Sequence, residues 1–307
     1  MIKKMIVAFT AVPLFLSSFS SSASAVRSYT SDDARHLSNA ILGISDVTSD
    51  DDINGDGIVN VFDICTIKNK ILNTGEFITK DYSATDENVK LTGRTMYNND
   101  TAWLVQSGSA VEFTVTGKSA TVTLAGDSSI NNSEDYRPRY AVLIDGEIIE
   151  DSVMSTSEKT LTLFEGETSR TSEIRIIHLS EAMNGAVGVK NISVTSDKAV
   201  PISPLPEKSL SIEFIGDSIT CAYGVEGLSS YESFKTTTEN FMKSYAYLTA
   251  QKLNADYSAV SYSGHGIISG YTSSGDINTD SLIPDCYELT GKLPDYSTAA
   301  AREITVL

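Results

Sequence analysis

Basic residues are scarce in this sequence. Lys and Arg number 23 against 40 Asp and Glu, a formal net charge of −17. Nucleic acid and anionic membrane surfaces both recruit Lys and Arg, so this balance excludes them as partners. A neutral polymer would not be repelled. Cysteine is almost absent. Cys65, Cys221 and Cys286 lie far apart and are odd in number, which gives neither metal-site spacing nor a disulfide framework. Histidine is limited to His36, His178 and His265. After the first 25 residues no apolar run is long enough to cross a bilayer.

What is present is globular in character. Hydrophobic residues make up 41% and charged residues 21% of 307, enough chain for two or three domains. Residues 1–25 read as a secretion signal. Lys3 and Lys4 precede an apolar run from Met5 to Leu16, and Ala23-Ser24-Ala25 fits the small-residue cleavage rule. The expected location is therefore extracellular.

Residues 26–75 contain a candidate calcium loop. Calcium takes several oxygen ligands from a tightly curved backbone. Asp52, Asn54, Asp56, Asn60 and Asp63 occupy loop positions 1, 3, 5, 9 and 12, with the Ile58 carbonyl at position 7 and Gly57 at the turn. A helix should follow, with Ile64, Ile67, Ile71 and Leu72 on one face. The segment Asp33 to Leu42 repeats this pattern 30 residues earlier: Asp33 matches Asp63, and Leu37 matches Ile67. The first copy lacks the Asp/Asn ladder, so one calcium ion is expected more firmly than two.

Residues 84–199 read as an antiparallel β-sandwich, jelly-roll-like. Alternating runs at 110–116, 119–124, 140–144, 160–164, 173–177 and 187–194 succeed one another with no competing helical period. Asp145-Gly146 is a hairpin signal. Trp103, Tyr136 and Tyr140 are candidate sugar platforms or plain packing aromatics, and His178 reads as structural. Pro201, Pro204 and Pro206 suggest a stiff linker.

Residues 208–307 open on Ile212-Glu213-Phe214-Ile215-Gly216-Asp217-Ser218-Ile219-Thr220-Cys221-Ala222-Tyr223-Gly224. The apolar run suits a parallel strand covered on both faces, and Gly216 suits a sharp turn that delivers Ser218 to the sheet rim. Ser218 is a candidate nucleophile beside backbone N–H groups that can face an oxyanion. A helix is expected over 239–253, with Phe241, Tyr245 and Leu248 on one face. A strand over 257–262 then ends in Ser263-Gly264-His265-Gly266. Strand, helix, strand begins a three-layer α/β fold.

The Gly216-Asp217-Ser218 stretch resembles the first block of the SGNH (GDSL-type) hydrolases, in the form seen in acetyl-xylan esterases of carbohydrate esterase family 2. Ser263-Gly264-His265-Gly266 resembles the second block. Gly93-Arg94, the 142–147 hairpin and the strands from Ile174 to Ser193 resemble the family 2 N-terminal domain. The duplicated 26–75 segment resembles a type I dockerin, the module that docks secreted enzymes onto a cohesin of a cellulosome scaffold. By these resemblances Ser218 attacks an acetyl carbonyl of acetylated plant polysaccharide. The N–H groups of Ser218 and Gly264 hold the oxyanion, with Gly266 in reserve. Calcium is structural, and no metal joins the chemistry. Val61 and Phe62 would read the cohesin, or else pack in the core.

The resemblance also implies a Gly-x-Asn-Asp block and a late histidine base, and neither follows Gly266. His265 belongs to the second block and is not expected behind Ser218. The tail from Tyr296 to Ile304 departs from the family, as a truncation or frameshift after about Ser297 would make it. Little or no esterase turnover is then expected of this chain. The alternative is a non-catalytic cellulosome component that docks through residues 26–75 and binds carbohydrate through the sandwich.

Overall fold

The computed structural model describes residues 29–72 and 77–300. The expected signal segment and the end of the tail lie outside them. The chain divides into two compact units, at residues 1–71 and 72–307.

In the first unit, helices α1 (Ser31–Ile41) and α2 (Val61–Leu72) begin alike. Thr30 caps α1 while the Asp33 carboxylate accepts the Thr30 N–H at 2.7 Å, a capping box. Thirty residues on, Asp63 accepts the Asn60 N–H at 2.8 Å. The repeated aspartate thus closes a helix N-terminus in both copies. Leu37, Ala40 and Ile67 are buried, whereas Ile64 and Ile71 are half-buried. Val61 and Phe62 are 58% and 66% exposed, which rules out a core role for them.

The second unit is mostly antiparallel sheet. Its strands are β1 (Ile78–Tyr82), β2 (Lys90–Thr92), β3 (Thr95–Asn98), β4 (Thr101–Leu104), β5 (Ala110–Gly126), β6 (Arg139–Ile144), β7 (Glu147–Val153), β8 (Glu158–His178), β9 (Val187–Ser196) and β10 (Ile202–Pro204). Runs expected to be separate strands fuse into two long ones, β5 and β8. β5 pairs with β8 at both ends, across a register break at Gly117/Ser119, and its second half also pairs with β9. One hydrogen-bonded sheet therefore curls over its own core of Val111, Phe113, Val122, Ile174 and Ile176, where two separate sheets were expected. Asp145 and Gly146 both take positive φ, as the two-residue hairpin between β6 and β7 requires.

The proline segment is not a free linker. Ile202–Pro204 pairs antiparallel with Val115–Phe113 of β5, and the Pro201 carbonyl accepts the Thr116 N–H at 2.7 Å. Proline is tolerated here because the strand is short and peripheral.

Strands β11 (Ser211–Gly216) and β12 (Asp256–Ser261) then pair in parallel, from Ser211↔Asp256 to Gly216↔Ser261. Between them runs helix α3 (Tyr245–Lys252). The expected longer helix is broken. Phe241–Lys243 is a 3-10 turn, and the Ser244 side chain starts α3 afresh by accepting the Tyr247 N–H. That restart changes the buried face to Ala246, Tyr247 and Ala250, leaving Tyr245 and Leu248 about half exposed. The expectation that β11 is covered on both faces also fails. Ile215 is 48% exposed, because among the described residues the parallel sheet has only these two strands.

Candidate active site

β11 delivers Ser218 as the sequence suggests, and Gly216 keeps the turn clear of a side chain. A Cβ there would lie 2.1 Å from the Thr220 hydroxyl, so glycine makes room for Thr220 to fold back over the strand end. The Thr220 hydroxyl bonds the Tyr245 hydroxyl at 2.9 Å, tying the turn to α3. Thr220 and Cys221 donate their N–H groups to the Asp217 carbonyl, and Tyr223 donates to the Ser218 carbonyl. The serine therefore stands at the first turn after a strand, and its own N–H takes no part in these bonds.

A second turn after β12 meets it. Gly264, at φ 75°, is in the left-handed region that favours glycine. Its carbonyl accepts the Tyr271 N–H at 2.7 Å. Ser218, Tyr223, Gly264, His265, Gly266 and Tyr271 line one open cleft of about 730 Å³. The two candidate oxyanion donors are now distinguishable. The Gly266 N–H is committed to the Ser281 carbonyl at 3.2 Å, whereas the N–H groups of Ser218 and Gly264 have no acceptor among the described residues.

None of the three histidines hydrogen-bonds to Ser218. His36 belongs to the first unit, is exposed, and lies 3.6 Å from Asp51. His178 is fully buried in the curled sheet, 3.2 Å from the Ser180 hydroxyl, and burial lowers its pKa to about 4. His265 lines the cleft, but both ring nitrogens are engaged. Lys292 has only protons to give, so Nε2 accepts from Lys292 Nζ at 2.7 Å, and Nδ1–H donates to the Ser263 carbonyl at 3.1 Å. The arrangement offers a nucleophile and two free backbone donors, with no base in contact among the described residues.

The sequence reading missed what supports these turns. Glu181, three residues past the end of β8, accepts the Ser263 N–H at 2.8 Å. Glu239 is fully buried and accepts the Glu181 N–H at 3.1 Å. Desolvation, reinforced by Glu181, pushes the Glu239 carboxyl up to about 9. Tyr271, 76% exposed at the cleft, also went unread. These residues are distant in sequence and carry no local motif. Of the proposed sugar platforms, Tyr140 is fully buried and is corrected to core. Trp103 packs tilted against Tyr296 at 6.1 Å, and Tyr136 is 48% exposed, 5.7 Å from Phe234.

In the calcium loop, Gly55 and Gly57 take φ of 78° and 85°. Asp52 accepts the N–H groups of Gly55, Asp56 and Gly57, and Asp63 accepts those of Ile53, Asn54 and Asn60. Asp52, Asn54, Asp56, Asn60, Asp63 and the Ile58 carbonyl form an all-oxygen donor set on one tightly turned loop, which suits a hard cation.

A serine at the carboxyl end of a parallel strand, beside a glycine turn with a free N–H, is an arrangement suited to acyl transfer. The comparisons agree in kind. Residues 91–204 match the family model for the carbohydrate esterase 2 N-terminal domain. The chain is 27% identical over 216 residues to an acetylxylan esterase / glucomannan deacetylase of Cellvibrio japonicus, covering 69% of this chain and 56% of that protein. It is 35% identical over 172 residues to the cellulase/esterase CelE of Acetivibrio thermocellus, covering 55% of this chain and 19% of that protein. A family two carbohydrate esterase from Clostridium thermocellum, solved with cellohexaose, superposes with a TM-score of 0.57 at 27% identity, covering 69% of this chain and 61% of that one. This chain is therefore similar to the family 2 carbohydrate esterases, with residues 91–204 matching the model of their N-terminal domain. It spans about half the length of the first of these curated relatives and a fifth of the second.

Proposed function

We propose that this chain carries the nucleophile and oxyanion half of an acetyl-esterase site for acetylated plant polysaccharide. Ser218 Oγ attacks the acetyl carbonyl, and the N–H groups of Ser218 and Gly264 hold the developing oxyanion. The observation that carries this reading is that Ser218 and Gly264 line one cleft and that neither of their N–H groups has an acceptor among the described residues. The names of the relatives support the substrate class. His265 cannot take the serine's proton while Lys292 holds its Nε2, so a base must reach Ser218 from outside the described residues.

The test is hydrolysis of p-nitrophenyl acetate by the chain, with and without added imidazole. Little turnover is expected alone. Imidazole should raise a component that disappears in Ser218→Ala. A rate identical in the variant would sink the reading.

For residues 26–75 we propose a secreted, cellulosome-linked role, with one calcium ion held at Asp52, Asn54, Asp56, Ile58, Asn60 and Asp63 and a cohesin met by Val61 and Phe62. The exposure of those two apolar residues supports it. Calorimetric titration should give one calcium site, lost in Asp52→Ala. A second reading, sugar binding without turnover, is favoured by Tyr271 standing exposed in the cleft with Ser218, which meets no base among the described residues. Retention on acetylated xylan without acetate release would support it.

A further inference from the structure

We propose that Glu181 is a positioning residue of the Ser218 site, supplied by the curled sheet to hold both active-site turns in place. The proposal rests on the esterase reading for its effect on turnover, but not for its geometry.

Glu181 follows β8 and is 6% exposed. Its Oε2 accepts the Ser263 N–H at 2.8 Å and lies 3.5 Å from the Cys221 thiol. Ser263 directly precedes Gly264. The Ser263 N–H lies in the peptide plane just before the one that carries the Gly264 N–H, so Glu181 anchors the entry to that turn, while the Ser263 carbonyl, which shares its plane with the Gly264 N–H, accepts from His265 Nδ1–H at 3.1 Å. Cys221 closes the other side. Its sulfur lies 3.4 Å from the Asp217 carbonyl, 3.6 Å from the Ser218 carbonyl and 3.7 Å from the Ser263 hydroxyl. One carboxylate oxygen thus joins the turn after β11 to the turn after β12.

Glu181 is itself held. Its N–H donates to Glu239 Oε2. The Glu239 carbonyl in turn accepts from Arg139 Nη1 at 2.8 Å, and that guanidinium also bonds Glu226 and Asp151. Every link in this chain is buried or half-buried, where an unmade hydrogen bond is costly, and those of Arg139 to Asp151 and Glu226 are charge-assisted. The ligand atoms of Glu181, Cys221 and Glu239 lie within 4.8 Å of one another, close enough to suggest a metal. Both Oε2 atoms accept backbone N–H groups, which is the bonding of an anchor, while Glu239 Oε1 is buried without a partner.

The functional consequence is specific. A misplaced oxyanion donor weakens transition-state binding more than ground-state binding, so kcat should fall while KM holds. The full chain would be compared as wild type, Glu181→Ala, Glu181→Gln and Ser218→Ala. The first readout is imidazole-assisted hydrolysis of p-nitrophenyl acetate. The second is amide hydrogen exchange.

Glu181→Ala is expected to lower kcat on the order of 10–100-fold with KM within about twofold. Exchange of the 262–266 amides should rise while β5 and β9 stay protected. Glu181→Gln keeps the shape and an acceptor but loses the charge, and should fall between the two in both readouts. Should the alanine variant not fold, the isosteric glutamine variant carries the test. Exchange of 262–266 in Glu181→Gln equal to wild type, with an equal kcat, would overturn the proposal. If hydrolysis persists in Ser218→Ala, the esterase reading falls, and the exchange data alone decide the role of Glu181.

Discussion

Glu239 sets a pH dependence that most carboxylates would not. An ordinary glutamate ionises near 4.3 in the unfolded chain, whereas burial beside Glu181 keeps Glu239 protonated up to about 9. Between those values the folded state binds the extra proton, so stability is full below about pH 4.5 and falls as pH rises. His178 acts in the opposite sense. Its pKa is lowered to about 4 by burial, so the unfolded state binds the extra proton below about 6.5 and stability falls as pH drops. From about 4.5 to 6.5 the two slopes oppose; above 6.5 only that of Glu239 remains. Glu239→Gln should therefore melt at a higher temperature relative to wild type at pH 8 than at pH 6. The full slope for one proton is about 1.4 kcal/mol per pH unit. An equal difference in melting temperature at both pH values would show that Glu239 is already ionised when folded. None of this was legible in the sequence. Ser218 and Gly264 could be read because each lies in a short motif whose chemistry is local. Glu181 and Glu239 act through contacts 82 and 58 residues away along the chain, and no spacing rule reports those.

At the scale of elements, the strands, the 145–146 hairpin and the start of the α/β part were legible because alternation and turn chemistry are local signals. The misreadings have two causes: a short-range contact that went unread, or a tertiary setting that overrode the local signal. Ser244 splits the expected helix because its hydroxyl caps a new N-terminus. The proline segment looks like a spacer but finds an open place beside β5. Gly216 shows such a short-range contact in a form that can be measured. Its value lies in the space it leaves for Thr220, not in a left-handed turn. Gly216→Ala should force Thr220 off the strand end and break its bond to Tyr245. The expected cost is about 1–3 kcal/mol in denaturant unfolding, together with loss of the Ser218-dependent component of hydrolysis. Gly146→Ala is the control, since nothing lies within 4 Å of a Cβ there and the cleft is not involved. It should cost only the strain of a positive φ and leave hydrolysis unchanged. An alanine at 216 that leaves both unfolding and hydrolysis unaltered would mean that Thr220 has another place to go.

For the molecule as a whole, the curled sheet and the α/β part read from the sequence as separate domains but share a core. Ala110, Ala141, Leu143, Ile177 and Leu179 of the sheet pack with Phe241, Ala246, Tyr247, Tyr257 and Ala259. Phe241 is the keystone of that layer. It is fully buried, stacks on Tyr257 at 5.7 Å, and donates its N–H to the Leu179 carbonyl at 3.0 Å. Its ring fills the space where a Cβ on Gly108 would stand, 2.2 Å away. Polar bonds cross the same boundary: Lys90 to Asp256 at 2.6 Å and Arg139 to Glu226 at 2.6 Å. A core that spans both parts makes their unfolding one event. Phe241→Ala should cost about 3–5 kcal/mol, a large share of the ~5–15 kcal/mol that holds a domain together. That loss should appear equally in exchange protection of β5 amides and of β12 amides, although β12 alone neighbours the cleft. Protection lost from β12 while β5 keeps its own would show two independent domains. In that case the sheet could not act as the rigid mount that a carboxylate reaching from β8 into the Ser218 site requires.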